Sequence, residues 1–229
     1  MSLTIHTPKA DHQRPRGLNQ VIVWLNGGFG AGKTTVARAL ARHWPDAHLF
    51  DPEQIGFMLR RVMPEAAWPD DFQSLSLWRR LTVDIAMDLV GRVRGPLLVP
   101  MTLVNPRYFR EVVGGLRRAG LEVHHFALIT SPSVLRERLR RRRASAASKA
   151  WTLARVERCV EALASSAFMV HLQTEGRSVR EIVGEIDAAV MGTSARRGGG
   201  SRRVAHARAR LAATDVTGAP WAAVRTWKK

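Results

Sequence analysis

Residues 20–35 read QVIVWLNGGFGAGKTT. The first part, Gln20–Asn26, is a near-continuous apolar run, the pattern of a strand buried on both faces. The second part, Gly27-Gly28-Phe29-Gly30-Ala31-Gly32-Lys33-Thr34, fits G-x-x-x-x-G-K-[ST]. Lys33–Trp44 then has helical spacing at Val36, Ala37, Leu40 and Ala41, and Pro45 stops it. A strand, a Gly-rich turn and an amphipathic helix together predict a phosphate loop. An ordinary glycine turn between strand and helix is the plainer alternative, but it does not require the Lys and Thr. Four glycines let the backbone curl so that successive N–H groups point inward at phosphate oxygens. The helix adds its positive end. Gly27, Gly28, Phe29, Gly30, Ala31, Gly32, Lys33, Thr34 and Thr35 are therefore the expected nucleotide-binding residues. In this reading Lys33 reaches the β- and γ-phosphates, Thr34 ligates Mg²⁺, and Thr35 lies near the α-phosphate.

Working outward, Ala47–Phe50, Leu97–Met101, Glu122–Ile129 and Phe168–Gln173 read as four further strands. Asp51-Pro52-Glu53-Gln54 looks like a helix start, with Asp as cap, Pro first and Gln third. Helices are expected from about Ser74 to Val93, from Asn105-Pro106 to Gly120, in an Arg-rich stretch from Ser131-Pro132, over Trp151–Ser165, and over Ser178–Val190. The alternation predicts an α/β three-layer sandwich, a five-stranded parallel sheet with helices on both faces, and the Arg-rich helix after the fourth strand is expected to serve as a helical lid. Residues 1–19 read as a flexible arm and 20–191 as the domain, with the lid at about 131–150. Residues 192–229 read as a linker (GTSARRGGGS) and a basic tail.

The chain of 229 residues is 45% apolar and 24% charged, which excludes disorder throughout, collagen and a disulfide-stapled miniprotein. No apolar stretch approaches the ~20 residues of a spanning helix. Met1–Arg16 lacks the apolar core of a signal peptide. Cys159 is the single cysteine, which suits a reducing compartment, so a cytoplasmic location is expected. The net charge of +17 is uneven: residues 192–229 carry nine basic residues and one acidic one. A second cluster is Arg136, Arg138 and Arg140–Arg143. Such charge predicts attraction to phosphate, whether of a nucleotide, a nucleic acid or a membrane surface. Few aromatics interleave the basic runs and no helicase or recognition motif is present, so no specific nucleic-acid partner is expected.

An Asn-Lys-x-Asp motif, which would mark a GTPase, is lacking, and the third strand (LLVPMT) has no acid. Asp51 instead closes the second strand, where a compact kinase faces the γ-phosphate and the acceptor hydroxyl. A carboxylate there can take the hydroxyl proton, orient the nucleophile or hold a metal-bound water. It is equally a helix cap. Arg136, Arg140 and Arg143 share one helical face; they read either as a lid closing on transferred phosphate, with Arg136 and Arg140 the catalytic candidates, or as a solvated basic face. Candidate acceptor-binding residues are Asp71, Gln73, Trp78, Arg79, Thr102 and His125. Gln73 and Asp71 could bond hydroxyls and Trp78 could stack, or Trp78 is core and Asp71 a cap. His124 and His125 must point to opposite faces of their strand. Cys159 is read as a small core residue.

VIVWLNGGFGAGKTT (21–35), FDPEQIGFMLR (50–60), DDFQSLSLWR (70–79), LLVPMTLV (97–104), VHHFAL (123–128), RCVEALAS (158–165) and HLQTEG (171–176) together resemble the bacterial tunicamycin resistance protein family. The resemblance covers about residues 20–190. It implies a P-loop kinase-like fold, ATP binding and protection from tunicamycin, a nucleoside antibiotic built on uracil and N-acetylglucosamine. The fold also resembles that of chloramphenicol phosphotransferases and of toxin kinases acting on a UDP-linked amino sugar; by that analogy Asp51 is the general base and a sugar hydroxyl is modified. The expected activity is therefore ATP- and Mg²⁺-dependent phosphoryl transfer to the drug, with sequestration without catalysis as the alternative. The family's C-terminal segment is associated with membrane binding through an amphipathic helix. This chain departs there, with Gly198–Gly200 and few large apolar residues, so weak attraction to anionic lipid is expected rather than deep insertion.

Overall fold

A computed structural model describes residues 20–168 and 170–196. Five parallel strands stand in the order β2-β3-β1-β4-β5: β1 Val21–Gly27, β2 His48–Leu49, β3 Leu97–Pro100, β4 Glu122–Ile129 and β5 His171–Gln173. The central strand β1 is buried along its whole length because both of its faces are covered. Val21, Val23 and Leu25 join a core with α1 (Lys33–His43) and α8 (Val179–Arg196). Ile22 and Trp24 join a second core with α3 (Ser76–Val90) and α4 (Pro106–Arg118). Period-two alternation along one strand thus feeds two cores, which makes the three layers. The all-parallel α/β sandwich is as the strand–helix alternation predicts, and its P-loop kinase-like form is as the family resemblance implies.

Local chemistry places the ends. Asn105 caps α4, its side chain accepting from the Arg107 and Tyr108 N–H groups. Ser178 and Glu181 form a reciprocal capping box at the start of α8. α2 (Glu53–Val62) follows β2 directly. α5 (Pro132–Arg141), α6 (Ala146–Leu153) and α7 (Val156–Leu163) follow β4.

Three boundaries differ from expectation. The expected helix over 151–165 is two helices, since Ser145 caps an earlier start and the chain turns at Ala154–Arg155. The expected strand from Phe168 begins only at His171: Ser166–Phe168 is a 3-10 turn and Val170 has a left-handed φ of 74°. α8 runs to Arg196, so residues 192–196 are helix rather than linker. The expected N-terminal arm, and the tail beyond 196, lie outside the described residues. Among the described residues no helix is long and apolar enough to cross a membrane.

Candidate functional site

The glycine loop joins β1 to α1. Gly30 (φ 85°) and Gly32 (φ 96°) have left-handed backbones that a side chain would strain. Gly32 caps α1 without any side-chain hydrogen bond, and Thr34 and Thr35 are exposed in the first turn. The helix therefore presents its N–H groups and positive end toward the loop, a seat for anions. Lys33 folds back over the loop. Its Nζ donates to the carbonyls of Gly27 (2.9 Å) and Gly28 (3.0 Å) and lies 5.7 Å from the Phe29 ring centroid. Burial lowers the Lys33 pKa from 10.5 to about 8, against the pull of Glu53, while Arg142 pushes the same way as burial.

The peptide between strand and loop is held by a buried clamp. The Asn26 carboxamide oxygen accepts from the N–H groups of Gly27 and Leu103, both at 2.9 Å, and its Nδ2 donates to the Leu103 carbonyl at 2.8 Å. The Thr102 hydroxyl donates to the Gly27 carbonyl at 2.9 Å. Gln73 Nε2 donates to the Thr102 carbonyl at 2.9 Å, and Arg79, ion-paired with Glu111, donates to the Gln73 carbonyl. A single polar chain thus links the loop to α3 and α4.

Two carboxylates, Asp51 and Glu53, stand at the β2–α2 junction, and Glu53 is in electrostatic reach of Lys33. Asp51 Oδ1 accepts from the Glu53 N–H at 3.0 Å, so Asp51 does cap the first turn, and that bond occupies one of its two oxygens. Burial and the charge of Asp51 raise the Glu53 pKa, while Lys33 and Arg142 draw it down. Asp71 adds a weaker upward push on Glu53, and its own Oδ1 accepts from the Gln73 N–H. Asp51, Glu53, Lys33 and Arg142 therefore share one electrostatic neighbourhood.

The remaining expected residues fall into place differently. Trp78 is wholly buried under Phe72, and its indole N–H donates to the Pro52 carbonyl at 3.0 Å. It braces the turn that carries Asp51 and has no ring face to offer a ligand. Arg79, Gln73 and Thr102 belong to the buried chain above. His125 lies in the core against Phe109 and Phe168. Trp78, Arg79, Gln73 and Thr102 thus support the loop and the acidic turn, and these four and His125 are buried instead of lining an open acceptor pocket. Among the arginines, helical spacing picks out Arg136 and Arg140. Arg136 is ion-paired with Glu157 of α7, and Arg140 is exposed, as are Arg138 and Arg142. Arg138 and Arg142 are the ones brought to the loop: Arg138 Nη1 donates to the Gly30 carbonyl at 3.3 Å, and Arg142 acts on Lys33 and Glu53. From α6, Trp151 meets Phe29 edge-on at 5.3 Å and is covered by Arg155.

A cleft of about 210 Å³ opens beside the loop, lined by residues 30–32 with Thr35, Arg138, Thr174, Arg177, Val179 and Ile182. Sequence reasoning missed this wall, as well as Asn26 and Glu53. Asn26 carried a readable signal, a polar residue ending an apolar strand, whereas the cleft is built from segments more than a hundred residues apart.

A glycine loop with its lysine and threonine at the central strand of a 2-3-1-4-5 parallel sheet defines a nucleotide-binding, P-loop kinase-like protein. The AAA domain family matches residues 22–165, over half of the chain, and the chain belongs to that family. Within this class the chain belongs to the tunicamycin resistance protein family: it is 32% identical to the tunicamycin resistance protein of Deinococcus radiodurans, over 75% of this chain and 95% of that one, with a TM-score of 0.63. The fold is also similar to a gluconokinase of Sinorhizobium meliloti (18% identity, 78% and 96% coverage, TM-score 0.54). It is similar, too, to the APS kinase of Mycobacterium tuberculosis solved with AMPPNP and APS (18% identity, 76% and 99% coverage, TM-score 0.52). None of the curated proteins matches the chain.

Proposed function

We propose that this protein transfers the γ-phosphoryl group of ATP to a sugar hydroxyl of tunicamycin and so confers resistance to it. The observation that supports the reading is Glu53, in electrostatic reach of Lys33 and of Asp51 at the start of α2, in a chain of the tunicamycin resistance family. The loop glycines and the uncapped start of α1 fit the phosphates. The cleft beside Thr35 fits the nucleoside, with Arg138 and Arg177 at its wall. Among the described residues no group of three or more His, Cys, Asp or Glu is set to hold a metal. Mg²⁺ therefore fits here as a nucleotide-borne ion, with Thr34 as its protein ligand. When bound, it neutralises charge on the phosphates.

The chain's own contributions follow from the geometry. Asp51 orients the acceptor hydroxyl and takes its proton as the oxygen attacks phosphorus and ADP departs. Lys33 leaves the Gly27 and Gly28 carbonyls for the phosphate oxygens, where its charge is stabilised. Arg138 and Arg142 offset charge developing on the transferred group and help exclude water. The test is mass spectrometry of tunicamycin after incubation with the protein, ATP and Mg²⁺. A gain of one phosphate per drug, with protection against a large molar excess of drug, is expected. Protection that saturates at one drug per chain, with the drug unmodified, would replace transfer by sequestration.

A further inference from the structure

Two donors converge on one buried carbonyl in the ligand-free site. Gly27 oxygen accepts from Lys33 Nζ and from Thr102 Oγ1, each at 2.9 Å. No strand ladder serves it on that side. Leu25 faces β3, its carbonyl taking the Met101 N–H, and the β1–β3 pairing ends at Leu25 with Pro100. Gly27, two residues on, faces the same way beyond the end of the ladder, where the next N–H, that of Leu103, is taken by Asn26. Gly28, the other carbonyl that holds Lys33, also accepts from the Ala31 N–H at 3.1 Å.

We infer that Thr102 is a positioning residue that releases Lys33 to the nucleotide. An ammonium that moves to phosphate abandons the carbonyls it was bonded to, and a buried carbonyl without a donor is costly. Thr102 stays behind as the second donor on Gly27, as Ala31 does on Gly28. The Lys33 transfer then leaves neither carbonyl bare. Thr102 is 3% exposed, its own carbonyl is fixed by Gln73, and its neighbour Leu103 is fixed by Asn26, so the hydroxyl cannot drift from Gly27. Thr102 touches no phosphate in this account; it lowers the cost of a movement made by another residue. The inference rests on the nucleotide site and not on the acceptor, so failure of transfer to tunicamycin would leave it standing.

The experiment is titration calorimetry with AMPPNP and Mg²⁺ on the full chain, with thermal melting of each ligand-free variant. Thr102→Val keeps the shape and removes the donor. It should bind the analogue about 5- to 100-fold more weakly and melt close to wild type without ligand, because Lys33 still covers Gly27. Thr102→Ser should restore affinity. In a Lys33→Met background, Gly27 has lost the lysine in both states, so adding Thr102→Val should weaken binding no further. Wild-type affinity in Thr102→Val, an equal loss in the Lys33→Met background, or a ligand-free Thr102→Val that does not fold would each overturn the inference.

Discussion

Replacing Asp51 by Asn separates two roles that the structure superimposes on one side chain. As a cap, Asp51 accepts the Glu53 N–H through Oδ1, and the Asn carboxamide oxygen can do the same. As a charge, Asp51 helps raise the pKa of Glu53, so neutralising it relieves a repulsion within the first turn of α2. Both considerations predict that Asp51→Asn melts at or slightly above the wild-type temperature. Asp51→Ala, by contrast, loses the cap and about 0.5–2 kcal/mol. The amide cannot take a proton from the acceptor, and a positioned base contributes ~10²–10⁴-fold. Drug phosphorylation should therefore fall by that factor in Asp51→Asn, with nucleotide affinity retained. The assay is ADP release with tunicamycin as acceptor, beside calorimetry with AMPPNP. Near-normal turnover in Asp51→Asn would refute the base and leave only the cap.

Lys33 titrates at about 8 in the fold against 10.5 ordinarily, so between those values the unfolded chain holds more protons and the stability of the ligand-free protein should rise with pH. Melting curves from pH 7 to 10 should show that rise in wild type and lack its Lys33 part in Lys33→Met. Trp78→Phe removes the indole donor from the Pro52 carbonyl and should cost about 1–3 kcal/mol of stability; it should slow transfer while sparing AMPPNP affinity, since the turn it braces carries Asp51 and not the loop. Truncation after Arg196 should leave melting temperature and turnover unchanged and weaken binding to anionic vesicles at low salt, as liposome flotation would measure.

The fold was legible because its signals are local and repeated. The apolar run before Gly27, the loop itself and the proline or asparagine starts of the later helices each declare themselves within a few residues. What failed were short-range competitions: Val170 takes a left-handed backbone and delays β5, and the Ala154–Arg155 turn divides a stretch whose apolar spacing suits one helix. The site was half legible. Helical spacing puts Arg136 and Arg140 on one face, but which arginine reaches the loop depends on how α5 docks, and Glu157 claims Arg136. Trp78, Gln73 and Thr102 stand in suggestive segments, yet their hydrogen bonds turn inward, and hydrogen-bond partners 26 to 75 residues away leave no mark on a linear pattern.

The position of β1 also bears on how the protein is made. It is the first of the described strands and the middle one in the sheet, and its two neighbours begin only at Leu97 and Glu122. At ~5–20 residues per second, a nascent chain waits on the order of 4–14 s after β1 before β3 begins to be synthesised. During that interval a seven-residue strand, Val21–Leu25 of it apolar, has neither edge paired and forms a ready template for pairing with other chains. The face that α1 and α8 share is completed only when the last described helix has been made. The glycine loop is thus translated early and assembled late, its setting complete only after both neighbouring strands have been made.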